Sequence, residues 1–590
     1  MPRVKARPSA DLDMANRRHD LARTRFVARA LADTIPVYDR KTHAALFTRE
    51  ALRTFAETVA PGYMLRNGPM LIGELDSTTL QLAEGMGRVA ASLPFEEGAR
   101  ALTSLYTVML DGKERSELGA FYTPAALTER LVDMAEEGGI DWKIARVLDP
   151  ASGGGTFLLA VMRRMRAAMA GAEPAFVLAQ LGTRLSGFEI DAHAAQFSQV
   201  VLDIALWDLA EKSGREIPSF ITIGDTLEME AVPSFDLVIG NPPYGRVSLT
   251  PAQRERYGRS LYGHANLYGV FTDIAVRWVK PQGLIAYLTP TSVLGGQYYA
   301  ALRRLLALEA PPVAIDFVHA RKDVFEDVLQ ETLLALYQRG AAADPFQVHY
   351  LDVDSEREAH LTKNGKVGLP ADPTAPWLAP RSPHHVKIIA AAKKMQARLA
   401  DWGYDVSTGP LVWNRFKPQL KHRPSAGTLP LIWAESVTPD GRFMFRAEKR
   451  NHAPHFKIEP RDAWLVTTRG CVLLQRTTSK EQSRRLIAAE LPDSFIGEHG
   501  GVVVENHLNM VRPFGKPKVS PAAVAAVLNS GIVDEVFRCI SGSVAVSAFE
   551  LRSLPLPTAE AMTMIEKLIS ANAPRASVEL ALLKLYGIAT

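Results

Sequence analysis

Cysteine is scarce in this 590-residue sequence: Cys471 and Cys539 form neither a CxxC pair nor a cluster with histidine. This scarcity excludes a disulfide framework and a cysteine-based zinc site, and it is compatible with a reducing compartment. No apolar run approaches the about 18 residues that a transmembrane helix needs. The basic N-terminus also lacks the apolar segment of a signal peptide. We therefore expect a cytoplasmic protein that has no membrane span and uses no metal.

Charge is distributed unevenly along the chain. Residues 381–590 hold 28 Lys and Arg against 18 Asp and Glu, whereas residues 1–380 hold 40 against 46. A basic C-terminal third favours a polyanionic partner, although an ordinary solvated surface could have the same composition. With 47% hydrophobic and 22% charged residues, the chain is typical of a soluble globular protein of about two or three domains.

The most informative stretch is residues 235–244, FDLVIGNPPY. It begins as an apolar run typical of a buried strand and stops at prolines, which cannot donate to a sheet ladder. Its rigid tip fixes the side-chain oxygen of Asn241 and the carbonyl of Pro242, and it carries Pro243 and the ring of Tyr244. Two fixed acceptors suit the hydrogens of a planar exocyclic amine, and a ring can stack on its base. The alternative interpretation is a proline-stiffened turn.

Residues 1–118 have helical apolar spacing, and we predict helices at 21–31, 44–58 and 80–110. They contain no metal-carboxylate pattern of a nuclease, so we do not expect a fused endonuclease, and the sequence leaves their role open. The next helix is predicted to begin at Thr123 and Pro124, which suit its N-cap and first position.

From residue 145 onward, strands and helices alternate, which predicts a doubly wound α/β fold. A strand at 145–148 leads into a glycine-rich turn at 149–155, and the next two strands end beside Glu189 and Asp225. Taken singly, a residue such as Glu189 or Asp225 is more often a helix cap or a turn former than a ligand-binding residue. Ligands of open α/β sheets bind at the carboxyl ends of the strands, so four successive strand ends with ligand-type residues predict a single site. Further strands are predicted at 184–188, 220–223, 283–288, 313–317 and 331–337, with helices at 192–209, 266–279 and 298–308.

Residues 119–340 resemble the gamma-ordered class of DNA amino-methyltransferases, the TaqI-like N6-adenine enzymes of restriction–modification systems. The pattern is a TP loop, DPA-x-G-x-G-x-F, an acid after the second strand, GD after the third, NPPY, and NLYGxF on the following helix. Every element stands here in that order, and Ser152 replaces a cysteine of many relatives. The resemblance implies a Rossmann-like, seven-stranded α/β sheet with a reversed last strand, and S-adenosyl-L-methionine as methyl donor.

The resemblance also implies roles for individual residues. Glu189 would bind the ribose hydroxyls, Ile190 would lie against the adenine, and Asp225 would accept from the amine of the cofactor. The implied cofactor-binding residues are Thr123, Asp149, Ala151, Gly153, Gly155, Glu189, Ile190, Asp225, Asn241 and Phe271. The implied catalytic residues are Asn241, Pro242, Pro243, Tyr244 and Phe325, of which Phe325 would form a second aromatic wall for the target base.

Residues 365–383 are rich in proline and glycine, which predicts a linker. It would join a catalytic domain at 119–364 to an α+β target-recognition domain at 384–590. In that last domain aromatics alternate with Arg and Lys, which suits DNA contact and equally suits a β-rich core with basic loops. These segments are similar to the target-recognition regions of longer Type II adenine methyltransferases. The predicted DNA contacts are Trp413, Arg415, Lys417, Arg476, Lys480, Arg484 and Arg485.

The resulting hypothesis is a sequence-specific adenine methyltransferase that acts as a monomer on double-stranded DNA. The resemblance suggests a separate restriction endonuclease of the same specificity as a partner. Three alternatives stay open: methylation of the N4 amine of cytosine, methylation of a glutamine amide in a protein, and a DNA-binding subunit without turnover.

Overall fold

The computed structural model describes residues 10–118, 123–320, 331–353, 359–477, 484–540 and 545–588. Its α-helices are α1 Ala10–Asp33, α2 Val37–Val59, α3 Ser77–Ala91, α4 Phe95–Met109, α5 Gly112–Leu118, α6 Ala125–Glu137, α7 Thr156–Ala168, α8 Pro174–Arg184, α9 Ala192–Ser213, α10 Pro251–Arg256, α11 Leu267–Trp278, α12 Ser292–Gly295, α13 Ala300–Glu309, α14 His385–Ala392, α15 Asp493–His499, α16 Pro521–Leu528, α17 Gly531–Ile540, α18 Ala548–Arg552, α19 Thr563–Ser570 and α20 Arg575–Leu585. Its β-strands are β1 Val147–Asp149, β2 Leu185–Glu189, β3 Ile221–Ile223, β4 Phe235–Gly240, β5 Val279–Pro290, β6 Pro312–Ala320, β7 Thr332–Gln338, β8 Phe346–Val353, β9 Ala359–Val367, β10 Tyr404–Thr408, β11 Leu420–Lys421, β12 Thr428–Ile432, β13 His455–Lys457, β14 Val466–Thr467, β15 Cys471–Gln475, β16 Ala488–Leu491, β17 Val502–Val504 and β18 Leu508–Pro513.

Helices α1 to α5 form the N-terminal helical region. The helix predicted at 80–110 is two helices, because Pro94 stands at the N-cap of α4 and cannot supply an N–H to continue α3. The side chain of Asp76 caps the start of α3 by accepting from the backbone N–H groups of Thr78 and Thr79. The apolar faces of these helices join one continuous core with the helices that cover the adjacent sheet.

The large sheet has the order β3-β2-β1-β4-β5-β7-β6-β8-β9. Strand β7 runs antiparallel to both β5 and β6, as expected of the reversed strand. The expected count of seven is wrong, because the described part of the sheet has nine strands. Strands β8 and β9 extend it beyond β6, and β8 alternates buried apolar residues with more exposed ones, as a strand covered on one face does.

Strands β1, β2, β3 and β4 are neighbours and run parallel. Their carboxyl ends therefore meet at one edge of the sheet, which is where the candidate site lies. The strand expected from residue 184 begins one residue later, because Arg184 is the last residue of α8.

The C-terminal part combines helices α14 to α20 with a four-stranded sheet, β10-β18-β15-β16, and a five-stranded sheet, β11-β13-β12-β17-β14. This is the α+β architecture that the sequence predicts. The predicted linker begins inside a strand, since β9 ends at Val367. No helix in the described ranges is long and apolar enough to cross a membrane.

Candidate active site

The glycine-rich turn after β1 is tied to the end of β2. The backbone N–H of Gly153 donates to Oε2 of Glu189 at 2.8 Å, and Oε1 of Glu189 accepts from the N–H of Asp191 at 2.9 Å. Burial raises the pKa of Glu189. Gly153 and Gly155 adopt positive φ angles of 49° and 77°, a conformation that L side chains rarely take. The carboxylate of Glu189 therefore fixes the glycine-rich turn against the end of β2.

Asn241 stands at the carboxyl end of β4 with both ends of its carboxamide engaged. Its Nδ2 donates to Oγ1 of Thr123 at 3.1 Å, and its Oδ1 accepts from the hydroxyl of Tyr244 at 2.6 Å. Because the amide nitrogen bonds Thr123, the amide oxygen is the atom presented beside Tyr244. Thr123, expected to contact the cofactor, thus also orients the side chain that is expected to hold the target amine.

Tyr244 lies in an aromatic cluster next to the Asn-Pro-Pro tip. Its hydroxyl is also 3.1 Å from the carbonyl oxygen of Leu288, so a single proton serves two acceptors. The ring meets Tyr268 edge-on with a centroid distance of 6.3 Å, and Tyr268 lies 4.8 Å from the ring of Tyr299. Burial raises the pKa of Tyr244. The phenol therefore stays protonated and acts as a hydrogen-bond donor.

A cavity opens between this sheet edge and the N-terminal helical region. Six of the predicted site residues line it: Thr123, Ala151, Gly153, Glu189, Asn241 and Pro243. Its opposite wall is α4, which contributes Arg100, Thr103, Ser104, Tyr106 and Thr107. The sequence-based reasoning missed this wall. The available signal was a polar stripe spaced i, i+3, i+4 and i+7, from Arg100 to Thr107, among the apolar residues of α4.

Helix α4 is held against the sheet edge by direct contacts. The hydroxyl of Tyr106 donates to the carboxylate of Asp191 at 3.1 Å, and Lys41 bonds the same carboxylate at 2.7 Å. A Cβ on Gly154 would lie 2.7 Å from Oγ1 of Thr103, so the turn and the helix touch. The N-terminal helical region is thus part of the site.

The cavity fits the cofactor that the resemblance implies. Glycines at the turn permit close approach of a ligand, and Glu189 at the end of the second strand suits ribose hydroxyls. The hydroxyl of Ser152 is buried in the cavity wall and has no hydrogen-bond partner within the described ranges. A polar ligand in the cavity would supply such a partner. Thr123, Ala151, Gly153, Ser152 and Glu189 are the residues that would hold S-adenosyl-L-methionine.

Other predicted cofactor residues lie near this edge but do not line the cavity. Burial raises the pKa of the Asp149 carboxyl to about 8, and its Oδ1 accepts from the N–H of Ala151 at 3.1 Å. Ile190 is exposed at the end of β2, and the carboxylate of Asp225 accepts from the N–H of Leu227 at 2.9 Å. Phe271 is buried in the apolar cluster behind the strands. Phe325 lies outside the described residues.

Four of the predicted DNA contacts come together at one end of the C-terminal sheets. The N–H of Asn506 donates to the carbonyl of Leu411, which brings the segment of Trp413, Arg415 and Lys417 beside residues 505–507. The N–H of Arg476 donates to the carbonyl of His507 at 2.9 Å, so Arg476 joins the same cluster. Arg415 and Lys417 are exposed, and the ammonium of Lys417 lies 5.8 Å from the ring centre of Trp413. Arg415 and Lys417 therefore present positive charge to solvent.

Arg484 and Arg485 lie elsewhere. Arg484 donates to the carbonyls of Asn529 and Pro439 at 2.7 and 2.9 Å, a bridge between backbone segments. Arg485 is half-buried, and burial lowers the pKa of its guanidinium. Lys480 lies outside the described residues.

One group of potential metal ligands occurs in the described ranges, His384, His385 and Glu535. The backbone N–H of Arg381 donates to Nδ1 of His385 at 3.0 Å, which places the ring proton on Nε2, facing Glu535. A protonated nitrogen has no lone pair for a metal. We therefore interpret this group as a hydrogen-bonded contact between α14 and α17.

The sheet order, the glycine turn and the Asn-Pro-Pro-Tyr tip agree with the resemblance to the S-adenosyl-L-methionine-dependent methyltransferases of restriction–modification systems. Residues 187–325 match the family described as Eco57I restriction-modification methylase. This matched segment contains Glu189, Asp225 and Asn241.

The chain has homologues among Type II methyltransferases. M.BsuBI from Bacillus subtilis is 25% identical over 480 residues, covering 78% of this chain and 91% of that protein. M.PstI from Providencia stuartii is 27% identical over 342 residues, covering 56% and 66%. Among solved structures, the Type IIL restriction-modification enzyme MmeI in complex with DNA is 12% identical, with a TM-score of 0.52 and coverage of 96% and 92%. At that identity the likeness shows the fold alone.

Proposed function

We propose that this protein is a sequence-specific DNA methyltransferase that methylates the exocyclic N6 amine of adenine. The observation that carries the proposal is the Asn241 side chain at the rim of the cavity. Its amide nitrogen bonds Thr123, and its amide oxygen already accepts a hydrogen bond at 2.6 Å. An acceptor fixed in this way suits an amine hydrogen of a target base.

The chemistry needs little beyond positioning. Bound S-adenosyl-L-methionine supplies an electrophilic methyl group on a sulfonium that is a good leaving group. The amine nitrogen would take the methyl carbon with loss of the carbon–sulfur bond, and the amine would release a proton to solvent. Asn241 Oδ1 and the carbonyl of Pro242 hold the amine hydrogens while the nitrogen becomes tetrahedral, which favours the transition state over the planar ground state.

Tyr244 takes two roles in this account. In the structure its hydroxyl occupies Oδ1 of Asn241 and lies near the carbonyl of Leu288. The target amine would replace the phenol at Asn241, and the phenol would keep Leu288 as its acceptor. Because an adenine inside a duplex is out of reach, it would be flipped out, and the tyrosine ring would stack on it.

Duplex DNA would be bound by the C-terminal domain. The exposed Arg415 and Lys417 and the half-buried Arg476 lie together there, and such groups contact phosphates and base edges. MmeI, one of the structural neighbours, was solved in complex with DNA. We further propose that the enzyme protects host DNA from a separate restriction endonuclease of the same specificity and acts as a monomer.

The proposal is tested by incubating unmethylated genomic DNA with the protein and radiolabelled S-adenosyl-L-methionine, followed by nucleoside mass spectrometry. We expect the label in N6-methyladenine. Label in N4-methylcytosine would keep the mechanism and change the base. Label in added protein and none in DNA would contradict the proposal.

A further inference from the structure

Helix α4 turns a polar face toward the cavity of the candidate site. Arg100, Thr103, Ser104 and Thr107 follow the spacing i, i+3, i+4 and i+7, so they share one side of the helix. All four line the cavity of the candidate site. Thr103 and Ser104 are each only 6% exposed. The hydroxyls of Thr103, Ser104 and Thr107 donate to backbone carbonyls three residues earlier in α4. The guanidinium of Arg100 is therefore the polar group of this face whose hydrogen bonds are not made within the helix.

Contacts at its two ends fix how α4 runs along the cavity. Toward its C-terminus, Tyr106 bonds Asp191, beside the end of β2. Toward its N-terminus, Glu96 bonds Arg163, which also bonds Glu129 of α6. Arg100 follows Glu96 by one helical turn, so it lies at the α6 end of the cavity, the end at which Thr123 stands.

The cavity is therefore electrically polarised. The end near β2 is lined by Glu189 and by Asp191, whose carboxylate is paired with Lys41. At the other end stand the guanidinium of Arg100 and the N-terminus of α6, whose N-cap residue Pro124 has no side-chain cap. Both features favour an anion.

Arg100 is available to a ligand. It is half-buried, and within the described part of the chain its guanidinium makes no hydrogen bond and no ion pair. Arg100 helps to lower the pKa of the Glu96 carboxyl, after the hydrogen bonds and charge of Glu96's own N–H and of Arg163, which bonds Glu96 at 3.1 Å. A planar guanidinium in a cavity wall is suited to two parallel hydrogen bonds with a carboxylate.

We propose that Arg100 binds the carboxylate of the amino-acid part of the cofactor. The acidic end of the cavity then receives the ribose hydroxyls, and the N-terminal helical region supplies part of the cofactor site. The inference rests on the proposed function, since it takes S-adenosyl-L-methionine as the ligand.

The test compares two ligands by equilibrium binding, without catalysis. S-adenosylhomocysteine carries the carboxylate, whereas 5′-methylthioadenosine keeps the adenosine and the thioether and lacks the amino-acid group. We expect Arg100→Met to weaken S-adenosylhomocysteine about 10- to 100-fold, the range of a charged hydrogen bond. Binding of 5′-methylthioadenosine should stay within about twofold, and Arg100→Lys should fall between Arg100→Met and the wild type.

Arg88→Met is the matched control, because Arg88 is an arginine of the same helical region, on α3, that pairs with Glu84 and lies outside the cavity. It should bind both ligands as the wild type does. Equal weakening of both ligands by Arg100→Met would indicate a deformed cavity and would overturn the inference, as would no change in either. If the wild type binds neither ligand, the proposed function itself fails.

Discussion

Asn241 is the residue on which the account depends most. Thr123 and Tyr244 bond the two ends of its carboxamide, so its orientation is fixed before any substrate binds. We expect Asn241→Ala to reduce methyl transfer by roughly 10²-fold or more, by analogy with the removal of one preorganised polar group from an active site. DNA binding should remain near the wild-type level. Initial rates and gel-shift titrations measure the two effects, and equal loss of both would contradict the assignment.

Two substitutions of Tyr244 distinguish the stacking of its ring from the hydrogen bonding of its hydroxyl. Tyr244→Phe keeps the ring and frees Oδ1 of Asn241, so we expect transfer within about tenfold of the wild type. Tyr244→Ala removes the platform and should lose about 1–3 kcal/mol of target-base stabilisation. Fluorescence of 2-aminopurine at the target position reports the flipped base. An unchanged signal in Tyr244→Ala would contradict the stacking role.

Asp149 makes stability depend on pH. Burial raises its pKa from 3.8 to about 8, so the folded state holds a proton that the unfolded state releases between these values. The stabilising effect of that proton is complete near pH 4 and is lost as pH rises toward about 8. Asp149→Asn cannot ionise, so its melting temperature should gain on the wild type as pH rises from 5 to 8.5. Parallel melting curves would contradict this.

At the scale of single residues, the sequence predicted which residues form the site better than it predicted the contacts between them. The motif residues Thr123, Glu189 and Asn241 do line a common cavity, because strand ends of a parallel sheet meet at one edge. The bond from Asn241 to Thr123 joins residues 118 positions apart, and local patterns carry no information about such a pair. Arg100 was not predicted as a site residue for the same reason: its position in the cavity depends on how α4 packs against the sheet edge.

Among the elements, those flanked by clear breakers were predicted most accurately. Strand β4 was predicted with its end, because two prolines follow it. Helix α8 and strands β8 and β9 were missed. Strand β9 is mostly exposed and so lacks the apolar alternation that marks a half-buried strand, although it pairs directly with β8. The break between α3 and α4 was also missed, since the apolar spacing continues across Pro94.

The contact between α4 and the glycine-rich turn predicts that a larger residue in the turn weakens ligand binding. A Cβ on Gly154 would lie 2.7 Å from Oγ1 and 2.8 Å from Cβ of Thr103, so Gly154→Ala must push α4 away from the turn. We expect S-adenosylhomocysteine to bind about tenfold more weakly, by an estimate of roughly 1.4 kcal/mol. Isothermal titration measures this. Gly112→Ala is the control, since its Cβ would meet nothing within 4 Å, and a matching loss there would refute the explanation.

For the molecule as a whole, the predicted linker is an ordered segment between two halves. Trp377 is 1% exposed, and its backbone N–H donates to the carbonyl of Leu294. The backbone N–H of Ala379 donates to the carbonyl of Cys539 in the C-terminal part. The fully buried Arg303 donates to the carbonyls of Thr374 and Ala375 in this segment at 2.8 and 3.0 Å. Proline and glycine content predicted irregular backbone correctly, but composition does not reveal whether such a segment is buried.

Arg303 should therefore stabilise the junction between the two halves. Arg303→Met would leave buried carbonyls without donors, at a cost of about 1–3 kcal/mol each. We expect a melting temperature several degrees lower. The neighbouring Arg304 is exposed, so Arg304→Met should change little in the same calorimetric scan. Equal effects of the two substitutions would contradict this account of the junction.

The most direct test of the central claim is methylation-aware sequencing of plasmid DNA from cells that express either the wild type or Asn241→Ala. The account predicts N6-methyladenine at every copy of one short motif with the wild type and none with the variant. Absence of adenine methylation from both samples, or the same modified motif in both, would contradict the claim that Asn241 directs methyl transfer to adenine.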